Sequence, residues 1–114
     1  MRLLVHRDAE AEVEDAAIWY EARRAGLGLE FMAAIDRAFA DIVQAPQRFA
    51  RWKPRLSWRR HVLRRFPYVV FFDGDEDCVL IMAVAHGRRR PGYWVSRRPP
   101  LRHCVLSTRC LQIH

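Results

Sequence analysis

The stretch DCVLIMAVAH, residues 77–86, decides how this chain folds. From Cys78 to Ala85 it is apolar without interruption. A strand with one face in water alternates apolar and polar side chains, and this one does not, so it is read as a strand in the middle of its sheet. Just before it, Asp73-Gly74 is a hairpin signal, and PYVVFFD (67–73) has the β-branched and aromatic content of a partner strand. Further back, RRHVLRRF (59–66) alternates. Its pattern puts Arg60, Val62, Arg64 and Phe66 on one side and His61, Leu63 and Arg65 on the other.

The N-terminal half changes period. RLLVH (2–6) reads as a short strand, and Asp8 is placed to cap a helix that runs to about Arg24. Val13, Ala16, Ala17 and Tyr20 recur at helical spacing and give that helix one apolar stripe. Gly26 and Gly28 interrupt it. A second stripe follows in Phe31, Ala34, Ile35, Ala38, Phe39 and Ile42, and Pro46 ends that helix. Residues 46–58 have two prolines and scattered aromatics but no period, which predicts an irregular connection. The fold expected is α+β in the order β-α-α-β-β-β. A helical hairpin packs on one face of a mostly antiparallel four-stranded sheet, and the other face is partly open.

Charge is distributed unevenly over the 114 residues, whose formal net charge is +7. Residues 1–41 hold nine acids against five arginines, whereas residues 48–65 hold eight bases and no acid. After Asp77 come seven arginines and again no acid. Clustered cations gain free energy by releasing counterions from phosphates, so a polyanionic partner is expected, nucleic acid first. No apolar run approaches the roughly 20 residues of a membrane span, and the N-terminus turns acidic too early for a secretory signal, so a cytoplasmic protein is expected. Cys78, Cys104 and Cys110 contain no CxxC and match no zinc pattern. DGDED (73–77) has the first spacings of a calcium loop but lacks its glycine and glutamate, and reads as a hairpin loop. No metal or cofactor is expected.

The candidate chemistry lies just after the central strand, in AVAHGRRRPGYW (83–94). An imidazole can carry a proton near neutral pH, and guanidinium groups can hold a phosphate and stabilise developing charge. His86, Arg89, Tyr93 and Arg65 are the candidate catalytic residues for a metal-independent cleavage of RNA by its own 2′-OH. Arg60, Arg64, Arg88 and Arg90 are the candidate nucleic-acid-binding residues. That reading needs guanidiniums from 59–65 and 88–90 to converge on one exposed patch. Tyr93 and Trp94 can stack on bases, or Trp94 can anchor the segment on the core.

These blocks come in a familiar order. WYE (19–21), GLGLEF (26–31), PQRF (46–49), an arginine-rich strand, FPYVVFF (66–72) and AVAHGRRRPGYW together resemble the RelE/ParE superfamily of toxins from bacterial type II toxin–antitoxin systems, often called plasmid stabilisation proteins. The resemblance covers about residues 1–98. It implies the βααβββ fold, a small cytoplasmic toxin, and a cognate antitoxin that neutralises it by wrapping its surface in a toxin–antitoxin hetero-oligomer. RelE-like members cut messenger RNA on the ribosome with basic residues and often a tyrosine or histidine. For these, Arg64 or Arg65, Arg89 and Tyr93 stand at matching places. ParE-like members inhibit DNA gyrase and lack the cleavage residues. The sole lysine, Lys53, falls in the irregular connection, away from any lysine-dependent site. A non-toxic basic binding module and an inactive toxin relic are the alternatives. Residues 99–114, PPLRHCVLSTRCLQIH, fall outside the resemblance as a C-terminal extension with no assigned function.

Overall fold

The computed structural model describes residues 2–52, 58–74, 77–90 and 92–97. Its elements are β1 (Arg2–Val5), α1 (Arg7–Arg23), α2 (Leu27–Gln44), a single 3-10 turn (Pro46–Arg48), β2 (Arg59–Val62), β3 (Tyr68–Gly74) and β4 (Cys78–His86). The strands are ordered β1-β4-β3-β2. The unbroken apolar strand is therefore central, and every residue from Cys78 to Ala85 is buried. It pairs antiparallel with β3, and β3 with β2. On its other side β4 pairs parallel with β1, from Arg2 opposite Cys78 to Val5 opposite Ile81. The sheet is thus mixed. The connection from β1 through the two helices brings β2 in along the direction of β1, and the two antiparallel reversals from β2 to β3 and β3 to β4 then set β4 parallel to β1.

That face carries the larger core. Ala9, Val13 and Ala16 of α1 and Phe31, Ile35, Ala38 and Ile42 of α2 pack with Val70, Phe72, Val79, Ile81 and Val84 of the sheet. Tyr20 and Ala17 are only partly buried against it. At one end four rings meet. Tyr20 lies 5.2 Å from Phe31 and 4.9 Å from Phe66, and Phe31 lies 5.1 Å from Tyr68. The GLGLEF block has a local cause. The Glu21 carboxylate accepts the Gly26 and Gly28 N–H groups at 2.9 Å each, satisfying donors at the start of α2 that have no helical partner. Gly28 has no side chain because a Cβ there would sit 2.6 Å from the Ala17 carbonyl oxygen. Gly26 takes φ +87°, a left-handed turn residue between the helices.

Two local expectations are corrected. The cap of α1 is His6 and not Asp8. Strand β1 stops at Val5, and the His6 Nδ1 accepts the Asp8 N–H at 3.0 Å. Asp8 instead lies in the first turn, where a carboxylate suits the positive end of the helix dipole. Strand β2 stops at Val62 and does not reach Phe66. Pro67 has no N–H for a ladder, and the chain turns, with the Tyr68 N–H donating to the Phe66 carbonyl at 2.7 Å. Leu63 and Phe66 both go inward, leaving the adjacent Arg64 and Arg65 exposed.

The opposite face is less open than expected. Leu4, Phe71, Cys78, Leu80, Met82, Ala83 and Ala85 form a second cluster beneath Trp94, which is 0% exposed. Trp52 and Trp58 flank Trp94 at ring distances of 5.3 and 5.1 Å, and Phe71 lies 4.9 Å away. Residues 92–97 therefore form a strap across this face, anchored by Trp94 as the sequence allowed. Gly92, at φ +81°, lets the strap turn with the Trp52 ring close beside it. The free edge of β2 is partly covered, because the Arg60 N–H donates to the Ala50 carbonyl at 3.1 Å. The C-terminal extension, Lys53, Pro91, Cys104, Cys110 and the middle of DGDED lie outside the described residues. Among the described residues no helix is long and apolar enough to cross a membrane, and no cluster of three potential metal ligands occurs.

Candidate functional site

Strand β1 is shorter than β4, and the site starts where it runs out. The last ladder contact on that side is the His6 N–H to the Ile81 carbonyl at 2.9 Å. Beyond it, side chains replace the missing strand. Arg97 donates from Nη1 to the Met82 carbonyl at 2.8 Å, and the Val84 N–H donates to Glu12 Oε1 at 2.9 Å. Glu12 and Arg97 also bind each other in a two-point ion pair of 3.1 and 2.8 Å. The Tyr93 hydroxyl donates to Glu12 Oε2. Burial and the neighbouring carboxylate both push the Tyr93 pKa well above the ordinary tyrosine range. Burial works against the Arg97 charge, but its bonds to Glu12 more than offset this and raise its pKa.

His86 ends β4, opposite Tyr68, with the two rings 5.2 Å apart. The chain then turns. The Gly87 N–H donates to the Pro67 carbonyl at 2.8 Å, and the Arg88 N–H donates to His86 Nδ1 at 3.0 Å. That second bond uses the Nδ1 lone pair. The Arg89 guanidinium lies over the Tyr93 ring, 3.8 Å from its centre, a cation–π contact. Arg88, Arg89 and Arg90 are all exposed.

Two cavities share the wall made by His86 and Arg89. The smaller, about 170 Å³, has Arg60, Arg89 and Arg90 around a floor of Trp52, Tyr93 and Trp94. The larger, about 510 Å³, lies between α1 and the β3–β4 end and is lined by Glu12, Asp15, Trp19, Tyr20 and Tyr68 among others. The structure thus brings His86, Arg89, Tyr93, Arg90 and Arg60 together. It does not bring Arg64 and Arg65 to them. Those two line a separate cavity with Arg37, Arg48 and His61, on the α2 side. Arg65 is bound to Glu30, which also pairs with Arg24 at 3.4 Å. Hydrogen bonds from Arg65 and then Arg24 hold the Glu30 carboxyl below its usual range. The expected convergence of Arg64 and Arg65 with the 88–90 turn is therefore not found: Arg60, Arg89 and Arg90 line one cavity, Arg64 and Arg65 another, and Arg88 neither. Burial lowers the His61 pKa, against the pull of Asp41.

Sequence reasoning missed Glu12 and Arg97. Asp8, Glu12, Asp15 and Trp19 follow one edge of the α1 stripe at helical spacing, and this was the only signal available for Glu12. Arg97 is one arginine among many.

A family model described as "ParE toxin of type II toxin-antitoxin system, parDE" matches residues 3–91. The chain belongs to the ParE toxin family. The matched region includes His86 and the three arginines of this toxin but stops before Tyr93, Trp94 and Arg97. Among solved structures, a chain titled "Chromosomal ParDE TA system from P. aeruginosa" has a TM-score of 0.65. It is 19% identical, and the match covers 75% of this chain and 95% of that one, so it speaks for a common fold. The sequence matches no curated protein.

Proposed function

We propose that this ParE-family toxin arrests growth by binding DNA gyrase, not by cutting messenger RNA, and that a cognate antitoxin in the cytoplasm neutralises it in a hetero-oligomer. The single observation that carries the choice of target is the state of the proposed catalytic groups. The Tyr93 phenol is bonded to Glu12 with its pKa raised, so it is neither a base nor a ready acid near neutral pH. Arg65 is committed to Glu30 and stands at another cavity. His86 Nδ1 already accepts the Arg88 N–H, so that nitrogen is not free to take a proton from a substrate. What is left is a basic, partly aromatic surface built to bind. Residues 1–98 form the toxin domain in this reading, and residues 99–114 are an extension of it.

The reading is tested by expressing the chain alone and together with a candidate antitoxin encoded beside it. Growth should stop, DNA-damage signalling should rise, and purified gyrase should lose supercoiling activity. Co-expression of the antitoxin should restore growth. Codon-phased cuts in messenger RNA with normal gyrase activity would overturn the gyrase reading in favour of cleavage by His86 and Arg89. Normal growth with folded protein would overturn the toxin reading in favour of a non-toxic binding module or an inactive relic.

A further inference from the structure

The function proposed above makes no use of the cavity between α2 and β2. At about 490 Å³ it has room for a whole side chain and the groups that flank it. Its rim is cationic. Arg37, Arg48 and Arg64 are exposed, and none of the three is ion-paired among the described residues. Arg65, on the same rim, shows what such a group takes, because its guanidinium is already bonded to the Glu30 carboxylate. A guanidinium matches a carboxylate at two points, so the three unpaired arginines are places for carboxylates that this chain does not itself supply.

The floor is apolar, with Ala34 and Ala38 from α2 and Leu63 from the turn after β2. Phe49 is fixed beside them, since Arg59 Nη1 donates to its carbonyl at 2.7 Å. Its ring is already engaged by His61, Phe72 and the Arg48 guanidinium, at 4.7, 5.7 and 5.8 Å. The cavity therefore offers a visitor small aliphatic groups, and no free-standing aromatic platform of the kind that stacks on bases. Burial keeps the His61 pKa below its ordinary value, so this imidazole adds no positive charge near neutral pH. Asp41, half-buried in the wall, is not ion-paired among the described residues. Its carboxylate repels a phosphodiester chain but accepts a peptide N–H.

From this arrangement we propose that the cavity is a docking site for an acidic peptide segment of another protein. An apolar side chain of the segment enters over Ala34, Ala38 and Leu63, and carboxylates on either side of it pair with Arg37, Arg48 and Arg64. The charge left uncompensated on the rim fixes the sign of the partner, and the floor fixes the apolar residue between its acids. The site goes beyond the choice of gyrase or messenger RNA and holds whichever is the target.

The test uses the purified full chain with neither target present, so its outcome is independent of the toxin reading. Three short end-capped peptides serve as probes: leucine flanked on each side by two glutamates, the same peptide with serine for leucine, and the same with glutamines for glutamates. Titrations followed by backbone-amide NMR should show the leucine–glutamate peptide shifting Ala34, Ala38 and Leu63. The serine peptide should bind about tenfold more weakly, the value of one buried leucine. Arg64→Ala and Arg37→Ala should each weaken binding about two- to fivefold, as an exposed ion pair does, and the glutamine peptide should be insensitive to both. Ala34→Glu, which places a carboxylate in the cavity at a helical position, should block binding. Arg90→Ala, at the other cavity, should leave it unchanged. Circular dichroism of each variant checks the fold. The proposal is overturned if no peptide shifts those amides, if the leucine and serine peptides bind equally, or if Arg90→Ala weakens binding as much as Arg64→Ala. A single-stranded oligonucleotide of equal charge that binds tighter and shifts the same amides overturns it in favour of nucleic acid.

Discussion

Replacing Glu12 should unfasten the strap. In Glu12→Ala the Val84 N–H, on a residue 1% exposed, loses its acceptor, which costs about 1–3 kcal/mol. Arg97 loses its two-point partner, and Tyr93 loses the acceptor for its hydroxyl. Removing one member of a buried ion pair costs about 3–5 kcal/mol. The Glu12 and Arg97 side chains keep 16% and 15% of their exposure, and Arg97 still has the Met82 carbonyl, so the lower end, about 3 kcal/mol, is expected. Glu12→Gln keeps an acceptor for Val84 and should cost about half as much. For a domain of this size about 3 kcal/mol lowers Tm by roughly 12–20 °C. Urea unfolding followed by tryptophan fluorescence measures it, since Trp94 leaves its buried place when the strap lifts. The Glu12→Ala/Arg97→Ala double mutant should show a coupling above about 1 kcal/mol. A loss below about 1 kcal/mol in Glu12→Ala, or zero coupling, would refute the view that this pair substitutes for a strand.

Three more outcomes can be checked. Gly28→Ala should destabilise the helical hairpin by about 1–3 kcal/mol in denaturant unfolding, because the new methyl group meets the Ala17 carbonyl oxygen at 2.6 Å. Trp94→Ala should cost about 3–5 kcal/mol and be rescued in part by Trp94→Phe, measured in the same way. Tyr93 has a raised pKa in the fold, so the stability it contributes is complete below the unfolded value of 10.0 and is lost as pH rises beyond it. Urea midpoints should fall above about pH 10 by up to about 1.4 kcal/mol per pH unit from this group, and Tyr93→Phe should flatten that slope.

The architecture was legible because most elements bury one face or two. The period of Phe31, Ile35, Ala38 and Ile42 and the unbroken run of β4 follow directly from what each packs against. The reading of β2 ran too long for a physical reason. Arg64 and Phe66 continue the alternation in letters, but Pro67 cannot join a ladder, and Phe66 is drawn into the ring cluster with Tyr20 and Phe31. The same error carried Arg64 and Arg65 to the wrong neighbourhood, since a turn does not obey the two-residue alternation of a strand. His86, Arg89 and Arg90 were found together because they are neighbours in sequence. Glu12 and Arg97 are 85 residues apart, and nothing in either segment announces that β1 ends one turn of the ladder too soon.

Among the described residues, the last strand to be synthesised is the one in the middle. A ribosome that has released the chain only as far as β3 has released both helices, but not the strand that joins β1 to the rest of the sheet. Until residue 86 emerges, Phe31, Ile35 and Ile42 have no complete surface to settle on, and β1 has no neighbour. Folding then closes a loop from one end of the domain to the other, which makes it slow relative to a hairpin-by-hairpin meander. A nascent chain interrupted before that point is a sticky intermediate with no working surface, so the molecule becomes capable of harm only when its domain is all but finished.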